Sequence, residues 1–103
     1  MGPAVLCFSW ISNAHAQPTI TANEARVERR VRELGLIGDT SLGILKRVAY
    51  STGDISARAY ITKLMQSAGL AVRVDAGGNI IGARKGKNAS SRPMVLGSHT
   101  DAV

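Results

Sequence analysis

An α/β fold, with helices packed on a mixed sheet, follows from three observations in this 103-residue sequence. Two stretches carry apolar residues at helical spacing, and each ends in a Gly-Leu pair. They are followed by "AVRVDAGGNIIGARKG", which alternates apolar and polar residues around a glycine-rich turn. Last comes "PMVLGSHTD", an apolar run suited to a buried strand with Pro93 at its first position.

The first helix is expected from Thr21, because "TANE" has the form of a capping box in which Thr21 and Glu24 satisfy each other's amides. Val27, Val31 and Leu34 form its narrow apolar stripe, and Gly35 is suited to the left-handed position that ends it, with Leu36 as the accompanying apolar contact. The stretch from Asp39 to Asp54 is rich in Gly, Ser and Thr and reads as an irregular connection. The second helix is expected near Asp54, capped by Asp54 or Thr52, and runs to Ala68. Ala57, Ile61, Leu64, Met65 and Ala68 share one face, with Tyr60 beside them, and this face is read as core. Gly69 and Leu70 repeat the stop signal. "AVRVD" and "NIIGARKG" then make an antiparallel hairpin about "AGGN", a polar loop "KNASSR" follows, and the third strand is expected to be the most buried. Cut off after that strand, the sheet is expected to have an open edge.

Charge divides the chain in two. Residues 1–23 carry no charged side chain, and all 13 basic and 7 acidic residues lie in 24–103, giving a formal net charge of +6. Within the uncharged part, "PAVLCFSWI" is followed by "SN" and "AHA", the small-residue spacing of a signal-peptidase site between Ala16 and Gln17. No Lys or Arg precedes the apolar run, so an ordinary apolar N-terminal segment or a mis-set start codon stands beside the signal-peptide reading. The first reading places the protein outside the cytoplasm or in a periplasm, the others in the cytoplasm. The run is too short to span a bilayer, so no membrane partner is expected. Nor is nucleic acid: the basic residues are scattered from Arg26 to Arg92, the densest cluster is interleaved with Glu24, Glu28 and Glu33, and aromatics for base stacking are few. A single cysteine, Cys7, leaves no internal disulfide and no thiolate zinc site.

The candidate chemistry is at His99 and Asp101. On a strand, residues two apart share a face, so imidazole and carboxylate can stand side by side at the carboxyl end of a buried strand, where α/β sheets place ligands. An imidazole that ligates metal through one nitrogen normally gives its other N–H to a carboxylate, which fixes the tautomer. The same pair also suits a purely structural hydrogen bond at a strand end. One imidazole cannot by itself hold a catalytic metal, which needs about three protein ligands.

The longer string is more specific. "RVAYSTGDISARAYITKLMQSAGLAVRVDAGGNIIGARKG" followed by "VLGSHTDAV" resembles the N-terminal part of the metal-dependent carbamoylase and allantoate amidohydrolase family, within the larger group of di-metal aminoacylases and carboxypeptidases. The matching positions are Arg47, Ser51, Asp54, Gly69, Leu70, Asp75, Gly78, Asn79, Gly97, Ser98, His99 and Asp101, in order, within a resemblance spanning residues 26 to 103. The resemblance implies that residues 24–103 are the N-terminal portion of a di-metal peptidase-like catalytic domain. It makes His99 the first metal ligand, and Asp101 the carboxylate that orients it and assists catalysis. It further implies two divalent ions (zinc, or manganese, cobalt or nickel), a small-molecule ureido or amide substrate such as an N-carbamoyl amino acid or allantoate, and a homodimer for the full-length enzyme. The family's bridging Asp, Glu pair, later His ligands and dimerisation domain have no counterpart in this sequence. The chain is therefore expected to be the incomplete opening segment of a roughly four-times-longer enzyme, inactive alone. The rival expectation is a small exported basic binding module without catalysis.

Overall fold

The computed structural model describes residues 19–103. The apolar run, the Ala16–Gln17 cleavage position, Cys7 and His15 lie outside the described residues. In chain order the elements are α1 (Glu24–Gly35), α2 (Thr52–Ser67), β1 (Ala71–Val74) and β2 (Ile80–Ala83).

α1 begins one polar residue later than the capping-box reading places it. Asn23, extended at φ −82° and ψ 102°, accepts the Arg26 amide on its side chain at 2.8 Å, so Asn23 and not Thr21 is the cap. Glu28 and Arg32 pair one turn apart at 2.7 Å on the exposed face. At the other end Gly35 stays helical, and Leu36 leaves the helix in a right-handed conformation with its amide turned back to Glu33 and Leu34. The expected left-handed exit at Gly35 is absent because the last turn tightens instead. Leu36 donates to the Glu33 carbonyl at 3.3 Å and Ile37 to Leu34 at 3.2 Å. α1 has no buried residue, and Val27 and Val31 are exposed.

α2 is capped by Ser51, whose hydroxyl accepts the Asp54 amide at 3.2 Å. Asp54 is correspondingly not the cap. It sits at the third helical position, where its carboxylate reaches back to the Tyr50 amide at 2.9 Å and is almost wholly buried. This is a reciprocal box displaced by one residue on its return arm. The C-terminus follows the stop signal closely. Gly69 adopts φ +76°, its amide donates to Gln66 at 2.9 Å, and the Leu70 amide donates to Met65 at 3.1 Å. These are the two bonds of a Schellman motif, and the left-handed residue they require is the reason for a glycine there.

β1 and β2 form the expected antiparallel hairpin, with Ala71 opposite Ala83 and Val74 opposite Ile80. α2 packs against both strands. The approach is closest at Gly82, where an added Cβ would lie 2.9 Å from Leu70 Cδ1 and 3.0 Å from Met65 Sδ. Of the expected core face, Ala57 is fully buried, Ile61, Leu64, Met65 and Tyr60 are half-buried, and Ala68 is exposed.

The third strand is not formed. Residues 93–101 run without a ladder, and Met94, Val95 and Leu96 are 84–90% exposed. Apolar content favours a strand only where another strand satisfies its backbone, and among the described residues none lies alongside. The mixed sheet is thus corrected to a two-stranded antiparallel one among the described residues. The run is anchored only at its end, where Ala102 bridges Arg47.

The hairpin turn is organised by Asp75, whose carboxylate accepts the amides of Gly77 at 2.9 Å and Asn79 at 2.8 Å and the Asn79 side-chain amide at 3.0 Å. The bond from the Asn79 side chain, followed by that from its backbone, holds the Asp75 pKa below 3.8. A carboxylate depressed in the folded state stabilises fully above its unfolded value and loses that contribution as pH falls through its folded value. The turn amides of Gly77 and Asn79 are therefore expected to stay native down to pH 3.8 and to lose their shifts below it, as followed by NMR on acidification. Ser51→Ala is expected to lower stability by about 1 kcal/mol in urea unfolding, through loss of the cap.

Candidate metal centre

Arg47 builds the frame of the site. Its side chain is only 4% exposed, yet every one of its hydrogen bonds goes to a main-chain carbonyl. Nε donates to Thr100 at 2.7 Å, and Nη1 donates to Leu34 at 2.9 Å and Ile37 at 2.5 Å. The Arg47 backbone also exchanges both bonds with Ala102, at 2.7 and 2.9 Å. The end of α1 and the segment carrying His99 and Asp101 are thereby fastened to the same residue.

On that segment the sequence-predicted pair does come together. His99 Nδ1 lies 3.1 Å from Asp101 Oδ1 and 3.1 Å from the Asp101 carbonyl. Both partners only accept when the carboxylate is ionised, so Nδ1 of the neutral ring carries the proton and Nε2 presents its lone pair. The imidazole is 83% exposed and the carboxylate 43%. The pair stands at the rim of a cleft of about 540 Å³, which Tyr50, Arg58, Asp75 and Asn79 also line. The Arg58 guanidinium ties α2 to the hairpin turn by donating to the Gly78 carbonyl. Tyr50 reaches the turn with its ring, its hydroxyl 3.5 Å from the Gly77 carbonyl. It does so from a left-handed backbone conformation, φ 65°, which is unfavourable for a residue with a Cβ. A larger hollow of about 720 Å³ lies along Leu36–Asp39 and the first turn of α2, and shares no lining residue with the cleft.

The donor set fits one part of a metal centre. The pair offers a single imidazole nitrogen with its tautomer already fixed, which is what a metal-ligating histidine requires. Among the described residues no group of three or more His, Cys, Asp or Glu side chains converges, so further ligands are needed for a catalytic site.

Sequence reasoning placed His99 and Asp101 together but gave no role to Arg47 or Arg58. The available signal was Arg47 itself, one of the positions of the family resemblance in the string 47–101, which neither helix periodicity nor cap chemistry accounts for.

No family model and no solved structure matches the chain. Curated relatives do. The chain is 39% identical over 77 residues to a ureidoglycolate hydrolase of Oryza sativa subsp. japonica, an alignment covering 75% of this chain and 16% of that protein. It is 35% identical over 85 residues to an N-carbamoyl-L-amino-acid amidohydrolase of Pseudomonas sp. (strain NS671), covering 82% and 20%. It is 40% identical over 86 residues to allantoate deiminase 2 of Glycine max, covering 84% and 17%. The chain thus spans between 16% and 20% of the length of these relatives.

The bond from Arg58 to Gly78 gives the cleft floor a testable support. Arg58→Met is expected to remove about 1.5 kcal/mol of local stability, read as roughly tenfold faster hydrogen exchange of the Gly78 amide. Exchange of the amides near the carboxyl end of α2 is expected to stay unchanged.

Proposed function

From the premise that this chain is a homologue of the N-carbamoyl-amino-acid amidohydrolases and allantoate deiminases, we propose that it supplies the first metal ligand, His99, and its orienting carboxylate, Asp101, to a metal-dependent hydrolase. The bond cleaved is the ureido or amide C–N bond of N-carbamoyl amino acids, allantoate or related small substrates. The observation that carries the reading is the His99–Asp101 contact at 3.1 Å, with the ring exposed at a cleft rim.

Two divalent ions, zinc or else manganese, cobalt or nickel, supply carbonyl polarisation and acidification of water when bound. The work of this chain is preparatory. Asp101 holds the Nδ1 proton, so that Nε2 is the donor nitrogen at every encounter with a cation. Its negative charge raises the basicity of that nitrogen. Ligands beyond His99, the general base and the contacts of a homodimer belong to parts of such an enzyme without counterpart in residues 1–103. The formal charge of +6 suits carboxylate-bearing substrates. The protein acts outside the cytoplasm if its apolar N-terminal run is cleaved after Ala16, and in the cytoplasm otherwise.

Calorimetric titration with zinc tests this assignment. The 103-residue chain is expected to bind one zinc weakly, His99→Ala to abolish binding, and Asp101→Asn to weaken it by about 10- to 100-fold. The chain alone is expected to turn over neither an N-carbamoyl amino acid nor allantoate. Zinc binding unchanged in His99→Ala would remove the assignment.

A further inference from the structure

We infer that Arg47 is a positioning residue for the His99–Asp101 pair, acting through its Nε–H on the Thr100 carbonyl. The inference rests on the reading of His99 as a metal ligand.

The argument starts from the two peptide units on either side of Asp101. The unit before it ends in the Thr100 carbonyl, which accepts from Arg47 Nε at 2.7 Å. The unit after it carries the Ala102 amide, which donates to the Arg47 carbonyl at 2.9 Å, while the Ala102 carbonyl accepts the Arg47 amide at 2.7 Å. Both planes that define the backbone dihedrals of Asp101 are thus held by one residue. Those dihedrals set the direction of its Cβ, and hence whether its carboxylate meets His99 Nδ1. No strand among the described residues supports the segment: residues 93–101 run without a ladder, and Gly97, two residues before His99, would meet nothing within 4 Å if it carried a Cβ. Arg47 itself is fixed independently of the pair, because Nη1 is bound to the Leu34 and Ile37 carbonyls. Carbonyls at a helix C-terminus carry partial negative charge and suit a guanidinium. The geometry of an exposed ligand is therefore referred to a buried group on a different element.

Two substitutions separate this role from a general structural one. In Arg47→Gln the side-chain amide nitrogen occupies the position of arginine Nε, which keeps the donor to Thr100 and removes those to Leu34 and Ile37. In Arg47→Met the stem has the same length and no donor. The readouts, made on the 103-residue chain, are the ¹⁵N shifts of the His99 ring in mildly alkaline buffer and affinity for zinc alone.

The unaltered chain is expected to show His99 with its proton on Nδ1. Arg47→Gln is expected to keep that tautomer and near-normal zinc affinity. Arg47→Met is expected to lose the tautomer preference and to bind zinc about tenfold more weakly. A Met variant with both readouts intact overturns the inference, and so does a Gln variant as impaired as the Met variant. The native amide shifts of Gly77 and Asn79 report folding, and if Arg47→Met does not fold the Gln variant alone decides. Failure of the unaltered chain to bind zinc would overturn the ligand assignment, while the tautomer comparison would still decide what Arg47 does.

Discussion

Burying a guanidinium without a carboxylate is the constraint on which the rest of this structure depends. Among the described residues the ion pairs of basic side chains with carboxylates are Arg29–Glu33 and Arg32–Glu28, and neither involves Arg47. A buried charge with unmet donors is costly, and hydrogen bonds to a charged group contribute about 1.5–3 kcal/mol each. The three carbonyls bound to Arg47 must therefore converge, and their convergence fixes how the chain is arranged. Leu34 and Ile37 bring in the end of α1, a helix with no buried side chain, which is joined to α2 by the Tyr60 hydroxyl donating to Glu33 at 2.5 Å. Thr100 brings in the segment that carries His99 and Asp101.

The positions by which the sequence resembles the carbamoylases and allantoate amidohydrolases separate, on this structure, into a frame and a candidate site. Ser51 and Asp54 start α2, Gly69 and Leu70 end it, and Asp75 with Asn79 closes the hairpin turn. Arg47 joins these to the segment of His99 and Asp101. Most of these positions thus shape the backbone that holds the His99–Asp101 pair rather than form the pair itself. Such a division is expected where an exposed ligand must keep a fixed geometry, since the precision of a site comes from the groups supporting it.

What was legible in the sequence was the local chemistry. The Schellman motif at Gly69, the α2 face around Ala57 and the hairpin about its glycine-rich turn all depend on residues no more than twelve positions apart, and their signals survive in one dimension. Caps were legible to within a residue or two. Thr21 and Asn23 are both good caps, and so are Ser51, Thr52 and Asp54, so composition could not choose between them. The apolar run from Met94 to Leu96 misled because hydrophobicity reports a preference for burial and says nothing of whether a partner strand stands alongside. The clamp on Thr100 was illegible for a related reason: it joins an arginine to a main-chain carbonyl, and every residue has one of those. In the candidate site the pairing of His99 with Asp101 was readable from their spacing, although they meet on an irregular segment rather than on a strand.

The contact between Arg47 and Thr100 closes a loop of 53 residues, and this has a kinetic meaning. The helices, their caps and the hairpin are short-range and can form within microseconds on their own. Closing a loop of that length carries an entropic cost on the order of 3–4 kcal/mol, which is repaid only once the elements between its ends are ordered. Among the described residues the segment carrying His99 and Asp101 is therefore expected to be the last to become native and the first to detach in a fluctuation. Anything that binds the native form of this segment acts on that final step, slowing detachment while leaving the early, local steps of folding at their own rates.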